Sequence, residues 1–277
     1  LVQLEGEAMD KGAVFRKLHE APGAFIIPNP WDVGTAKLLA SFGFEALATT
    51  SAGYAFSRGL PDGGVGFEQM IHHCRDMAAA TEIPVSADLE KGKGDSPESA
   101  GETIFAAEAA GLAGCSIEDH TGEPDNPIYE FSHAVERVAA AAEAARALRR
   151  DFVLTARSEN FLWNRPDLDD TIRRLQAFEK VGADVLYAPG ITDIGMIRTL
   201  CKSVTKPVNV LAVPGFSVAV LAEAGAKRIS LGSKLATYAF GMMERATREM
   251  LGQGTFDFAR DSIPYSKLQA LFAAGER

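Results

Sequence analysis

Residues 110–118 read Ala110-Gly111-Leu112-Ala113-Gly114-Cys115-Ser116-Ile117-Glu118. A glycine ends a helical stretch, a short apolar run follows at once, and a carboxylate closes the run. Glycine past a helix end takes a left-handed conformation without Cβ strain. A short, nearly all-apolar run matches a strand buried on both faces. The unit recurs along the chain. Phe42-Gly43-Phe44 leads into 45–49, Val181-Gly182-Ala183 into 184–188, and Ala224-Gly225-Ala226 into 228–231.

Working outward, strands with a different entry lie between these units. Ile83-Pro84-Val85 opens one and Lys206-Pro207-Val208 another, with proline at the strand start, where its missing N–H is tolerated. The full set is 24–28, 45–49, 84–88, 114–118, 152–156, 184–188, 207–211 and 228–231. Helical patterns separate them, among them 67–80, 97–110, 132–149 and 168–181. Asp95-Ser96-Pro97-Glu98 reads as a helix start, Ser96 capping and Pro97 in the first position. Eight such units predict an α/β fold, a single (β/α)8 TIM barrel. The alternative is an open dinucleotide-binding sheet, but no G-x-G-x-x-G follows the first strand. Residues 1–253 are assigned to the barrel as its catalytic domain. Residues 254–277, with Pro264, Tyr265, Leu268 and Leu271, are assigned to a C-terminal docking segment, expected to be helical and exchanged between subunits.

Bulk properties narrow the function. The chain has 277 residues, the length of one barrel. With 28 basic and 37 acidic residues its net charge is −9, which argues against nucleic acid as a partner. Cys74, Cys115 and Cys201 are odd in number and widely spaced, fitting neither a disulfide framework nor a zinc pattern. The sequence shows no signal peptide and no apolar run near 18 residues, so a cytoplasmic location and no membrane contact are expected.

In a TIM barrel the chemistry sits at the C-terminal strand ends. Those of strands 3 and 4 carry Asp88, Glu90, Glu118 and Asp119. Adjacent strands lie about 4.8 Å apart, so these carboxylates cannot all stay ionised without a cation. An oxygen-only cluster selects Mg2+, with Mn2+ as the substitute. The plainer reading is that some of them cap helices or pair with Arg157. Arg157 closes strand 5, where a guanidinium can grip a substrate carboxylate; it could equally neutralise Glu118 or Glu159. Thr50-Ser51-Ala52-Gly53 after strand 2 offers a hydroxyl and backbone N–H groups to an anion. Of the histidines, only His120 lies at a strand end.

At these residues the chain resembles the isocitrate lyase/phosphoenolpyruvate mutase superfamily, over roughly 12–252, nearer its 2-methylisocitrate lyase-like and oxaloacetate decarboxylase-like members. Ser51-Ala52-Gly53 with Gly59-Leu60-Pro61-Asp62 resembles the substrate turn and loop acid. Asp88-Leu89-Glu90 with Gly92-Lys93-Gly94 resembles the D-x-D/E metal motif. Gly114 to Asp119 resembles the strand-4 motif, and Thr155-Ala156-Arg157 the strand-5 motif. The resemblance implies that Asp88, Glu90 and Glu118 hold Mg2+, partly through water. It implies that Ser51, Ala52, Gly53, Arg157 and Asn209 bind substrate, with Asp62 on a mobile loop. It also implies a homo-oligomer, a homotetramer or dimer.

The departures bear on the reaction. Carbon–carbon lyases of this superfamily carry a K-[KR]-C-G-H loop after strand 4, and here the segment runs His120-Thr121-Gly122-Glu123-Pro124 with no cysteine. The gating pattern of the phosphonate branch is also missing. The expected function is a Mg2+-dependent lyase cleaving a C–C bond of a small 2-oxo or 2-hydroxy di- or tricarboxylate through a pyruvate-like enolate. Arg157, Asp62 and His120 are the catalytic candidates. Glu123, Tyr54 or a water are further candidates for the base. The alternatives are a phosphonopyruvate-type enzyme acting on a P–C bond and a non-catalytic 2-oxo-acid binder.

Overall fold

The helix–glycine–strand unit repeats in three dimensions as it does in sequence. Gly43, Gly111, Gly182 and Gly225 have φ of 87°, 87°, 116° and 107° in the computed structural model, which describes residues 10–273. The outer ends of both assigned segments, 1–9 and 274–277, lie outside the described residues. Eight strands run parallel: β1 (Phe25–Ile27), β2 (Leu47–Ala48), β3 (Val85–Asp88), β4 (Gly114–Glu118), β5 (Val153–Arg157), β6 (Val185–Tyr187), β7 (Val208–Leu211) and β8 (Arg228–Ser230). They are wrapped by α2 (Val33–Ser41), α3 (Ser51–Ser57), α4 (Phe67–Ala79), α5 (Pro97–Ala109), α6 (Phe131–Ala147), α7 (Leu168–Val181), α8 (Ile194–Ser203), α9 (Val218–Glu223) and α10 (Lys234–Gln253), with α1 (Lys11–Glu20) preceding β1 and α11 (Tyr265–Ala273) ending the chain. The expected helix start at Asp95-Ser96-Pro97 is found, the Ser96 hydroxyl accepting the Ser99 N–H.

The strand order is β1-β8-β7-β6-β5-β4-β3-β2, a nearly closed (β/α)8 barrel. The seam between β1 and β2 is bridged by the Ala48 N–H donating to the Pro28 carbonyl at 3.1 Å. Asn29 reinforces it. Its amide donates to the Thr49 carbonyl, and its oxygen accepts the N–H groups of Leu231 and Gly232, tying β1, β2 and β8 together at the mouth. β2 is shorter than the expected 45–49; past Ala48, the Asp88 N–H turns to the Thr49 hydroxyl at 3.0 Å. β5 runs one residue further than expected, to Arg157.

Apolar side chains fill the space between strands and helices, Leu47, Met77, Ile104 and Leu154 on one side and Leu175, Phe178, Leu186 and Ile229 on the other. Phe15 of α1 packs with Ile27, Val153 and Val185 and plugs the floor. After α10, Gly254 turns the chain at φ 66°, and α11 packs against α2 of the same chain. The flank of α10 and the segment after it leave Tyr238, Met243, Leu251 and Phe256 exposed. Among the described residues no helix is long and apolar enough to cross a membrane.

Candidate active site

Alternate residues of a strand share a face, so the last inward-facing residues of β3, β4, β5 and β6 converge at the mouth. They are Asp88, Glu118, Arg157 and Tyr187. Glu118 is the register partner of Arg157, and Arg157 of Tyr187. Arg157 Nη1 lies 2.6 Å from Asp88 Oδ1, and Nη2 lies 3.1 Å from Glu118 Oε2 and 2.9 Å from Glu159 Oε1. The Tyr187 ring packs on the guanidinium, its centroid 5.2 Å from Cζ. Burial opposes the Arg157 charge, but Glu159, Glu118 and Asp88 outweigh it and hold the pKa well above the usual value.

One guanidinium cannot neutralise all the carboxylates around it. The Glu90 carboxyl is pushed up to about 8, by burial and then by Asp88, Glu118 and Asp62. Asp62, at the solvent-exposed rim, is raised by partial burial, Asp88 and Glu118. Glu159 is pushed up to about 8 by burial, with Arg157 pulling the other way. This unmet negative charge, presented entirely by oxygen, fits a hard divalent cation. Among the described residues no three His, Cys, Asp or Glu side chains converge as a direct ligand set. Asp88 and Glu118 both pair with Arg157, and Glu90 lines the cavity beside them. Glu90 adopts φ 52°, a left-handed conformation that is uncommon outside glycine and concentrates at functional sites. Its carbonyl accepts the Glu118 N–H at 3.1 Å, which fixes the turn.

The Thr50-Ser51-Ala52-Gly53 turn is the first turn of α3. Ser51 Oγ donates to Asp88 Oδ2 at 2.9 Å, and Ser51 and Ala52 line the cavity. Gly53 belongs to the cap instead: its N–H donates to the Thr50 hydroxyl at 3.2 Å. A Cβ there would lie 2.6 Å from Thr50 Cγ2 and 3.2 Å from Ala236 Cβ, so glycine is needed for α3 to approach α10.

His120 lines the cavity, with Nδ1 3.6 Å from Glu118 Oε1. Its Nε2 is buried with no protein partner. The ring stacks on Trp163, centroids 3.9 Å apart and 10° from parallel. The other candidate bases are elsewhere. Glu123 is exposed on the loop after β4, and Tyr54 stacks on His73 at 3.7 Å, outside the cavity wall. Asp119 also turns away. It accepts the Glu159 N–H and pairs with Arg174 of α7 at 3.2 Å, and burial pushes its carboxyl up to about 6. Asn209 lines the cavity but is held by its neighbours: its amide donates to Ser230 Oγ and its oxygen accepts from Arg228 Nε, each at 2.9 Å. The cavity has a volume of about 680 Å3, and among the described residues no cysteine lines it.

Sequence reasoning passed over several residues that shape this site. Trp163 and Tyr187 supply the stacking surfaces. Arg137, fully buried on α6, donates to the carbonyls of Lys91, Gly94 and Ser96 and so holds the loop after β3. Arg174 fixes the loop after β5 through Asp119. Arg137 and Arg174 share one legible signal, an arginine on the apolar face of a helical pattern.

Comparison with known proteins matches this geometry to one family. A sequence profile described as phosphoenolpyruvate phosphomutase covers residues 15–251. A solved structure from Burkholderia cenocepacia J2315, described only as a lyase or mutase, is 53% identical with a TM-score of 0.93, covering 95% of each chain. The 2-methylisocitrate lyase of Escherichia coli K12 is 28% identical over 205 residues, 71% of this chain and 68% of that one. Phosphonopyruvate hydrolase, solved with oxalate and Mg2+, shares the fold at a TM-score of 0.85 and 22% identity, over 96% of each chain.

Proposed function

The chain belongs to the phosphoenolpyruvate phosphomutase family, and on that premise we propose that it is a Mg2+-dependent carbon–carbon lyase. Its substrate is a small 2-oxo or 2-hydroxy di- or tricarboxylate: cleavage of a 2-oxo acid leaves a pyruvate-like enolate that is then protonated, whereas a 2-hydroxy acid gives up its hydroxyl proton, becomes the 2-oxo product and leaves the electron pair on the departing carboxylate fragment, which is protonated in turn. The observation that carries this reading is the mouth itself: Arg157 set among Asp88, Glu118 and Glu159, with Glu90 and Asp62 adding negative charge that one guanidinium leaves unmet. Bound between Asp88, Glu90 and Glu118, Mg2+ would supply positive charge against the keto and carboxylate oxygens of the acid.

The chain's own residues do the rest. Arg157 orients a substrate carboxylate and stabilises charge on the developing enolate oxygen. Glu159, behind it, fixes the guanidinium plane. Ser51 and Ala52 border the acid on the β2 side, and Asn209 presents a fixed amide to the cavity. His120, whose ring lines the cavity, takes the hydroxyl proton in a retro-aldol cleavage or delivers a proton to the enolate carbon after decarboxylation. Asp62 closes the rim.

A second reading keeps the same mouth and changes the bond: a phosphonopyruvate-type enzyme acting on P–C. The description of the matching family profile as a phosphoenolpyruvate phosphomutase supports it. Proton and phosphorus NMR with Mg2+ separates the two, using oxaloacetate, 2-methylisocitrate, dimethylmalate and phosphonopyruvate, each with an EDTA control. Release of pyruvate, succinate or glyoxylate from one of the carboxylic acids, EDTA-sensitive and above a control with Mg2+ and no protein, supports the lyase. Turnover of phosphonopyruvate alone moves the assignment to P–C chemistry. Silence across the panel, with Mg2+-dependent line broadening of an acid, leaves a binding protein. The exposed Tyr238, Met243 and Leu251 further support self-association through α10 and the C-terminal segment, which light scattering would read as a dimer or tetramer.

A further inference from the structure

Below the mouth the barrel holds a second buried guanidinium. Arg228 of β8 is 5% exposed and borders the same cavity as Arg157. Its Nε donates to Asn209 Oδ1 at 2.9 Å and its Nη2 to Thr155 Oγ1 at 3.0 Å. Its Nη1 lies 3.3 Å from His19 Nε2, and His19 Nδ1 lies 2.8 Å from the Phe15 carbonyl, so the ring presents Nε2 as an acceptor. A guanidinium has five N–H groups; three are used here, all on neutral partners. Among the described residues no carboxylate lies within ion-pair distance of Arg228, whereas Arg157 has three and Arg174 has two. Arg137 also lacks one, but it is enclosed by three carbonyls and stands outside the cavity.

The neighbouring wall is also short of partners. Ser86 and Ser116 line the cavity, are 4% and 9% exposed as residues, and have no side-chain hydrogen bond to protein among the described residues. Ser116 is the register partner of Thr155, the residue that receives Arg228. Thr155 precedes Arg157 by two residues, which places this layer about 6.6 Å below the mouth. At about 680 Å3 the cavity has the volume of roughly twenty waters, far more than a four-carbon acid fills.

We infer that Arg228, with Ser116 and Ser86, forms a second anion subsite at the barrel floor, for one carboxylate-sized group. A buried cation without a counter-ion is costly, and an anion held in this cavity would supply the missing charge. Burial lowers the Arg228 pKa to about 10, with Tyr187 pulling the other way. The carboxylate is either a free small anion or the far end of an acid whose other end is held by Arg157.

The test uses the full chain stripped of metal with EDTA, which leaves the mouth carboxylates to repel anions there and makes the result independent of any turnover. Thermal unfolding is followed against sodium formate and sodium succinate at constant ionic strength, in wild type, R228M and R157K. A single-site ligand at ten times its dissociation constant raises the Tm of a domain this size by roughly 3 °C. A saturable rise with formate in wild type and R157K, absent from R228M, establishes a floor site for a free anion. A rise with succinate but not formate, lost in both variants, establishes one acid spanning the two arginines. No saturable rise with either probe, or a rise that survives in R228M, overturns the inference. Should R228M fail to fold, the S86A/S116A double variant carries the test: affinity weakened severalfold supports the site, and unchanged affinity removes it.

Discussion

Two arginines stand in one barrel, a layer apart, and are treated in opposite ways. Arg157 at the mouth faces Asp88, Glu118 and Glu159, and its neighbours still hold more negative charge than it can answer. Arg228 near the floor meets an amide, a hydroxyl and an imidazole, and no anion. The contrast separates two uses of a buried charge. At the mouth, repelling carboxylates make a site that a cation and an acid complete together. At the floor, a cation held by neutral dipoles is stable enough to fold and remains electrostatically unanswered.

The largest expected effect is on activity at the mouth. Asp88→Ala or Glu118→Ala should abolish Mg2+-dependent turnover while circular dichroism stays unchanged. A variant retaining wild-type rates would remove that residue from the metal site. Next comes His120→Gln, expected to slow the reaction by about a hundred- to ten-thousand-fold, the usual worth of general acid–base catalysis; an unchanged kcat in steady-state assays would exclude Nε2 from proton transfer.

Stability should then distinguish the arginines. Arg157→Met leaves buried Glu118 and Glu159 and half-buried Asp88 facing one another and should cost about 3–5 kcal/mol in urea unfolding. Arg228→Met removes three hydrogen bonds but also relieves a buried charge that has no ion partner, and should cost less than Arg157→Met. Equal losses would erase the distinction between mouth and floor.

The smallest effect is a pH slope at the floor. His19 is lowered to about 3, by burial and then by Arg228. Between its folded pKa and the unfolded value near 6.5, the unfolded chain binds more protons than the folded one. Its contribution is therefore present in full above about pH 6.5 and is lost as pH falls toward 3. His19→Gln should flatten the decline in stability between pH 7 and 5 relative to wild type. Parallel curves would show that His19 takes up no proton on unfolding.

Much of the fold was legible because its signals are local. Glycine after a helix and a short apolar run depend on neighbours in sequence, so all eight strands and the four helices named in advance fall where expected, within a residue or two at most ends. Proline at the start of 84–88 and 207–211 marked strands that glycine did not. The site was legible in its strand-end residues, Asp88, Glu118 and Arg157, since strand ends become one place as soon as a barrel is assumed. Less legible was how those residues are used. Ser51 is bonded to Asp88, Gly53 caps α3, Asn209 is locked between Ser230 and Arg228, and of the candidate bases His120 lines the cavity while Glu123 and Tyr54 do not.

The family, the barrel and the crowding of carboxylates at its mouth follow from the chain alone, because periodicity and motif order are local properties. Tertiary structure alone decided which charges meet. Arg228 reads in sequence as an ordinary strand residue, and Trp163 as part of a loop. Barrel closure turns Arg228 inward toward Thr155, 73 residues away, and lays Trp163 on His120, 43 residues away. Whether a charge finds its counter-charge depends on distances across the barrel, and no local pattern in the sequence encodes them.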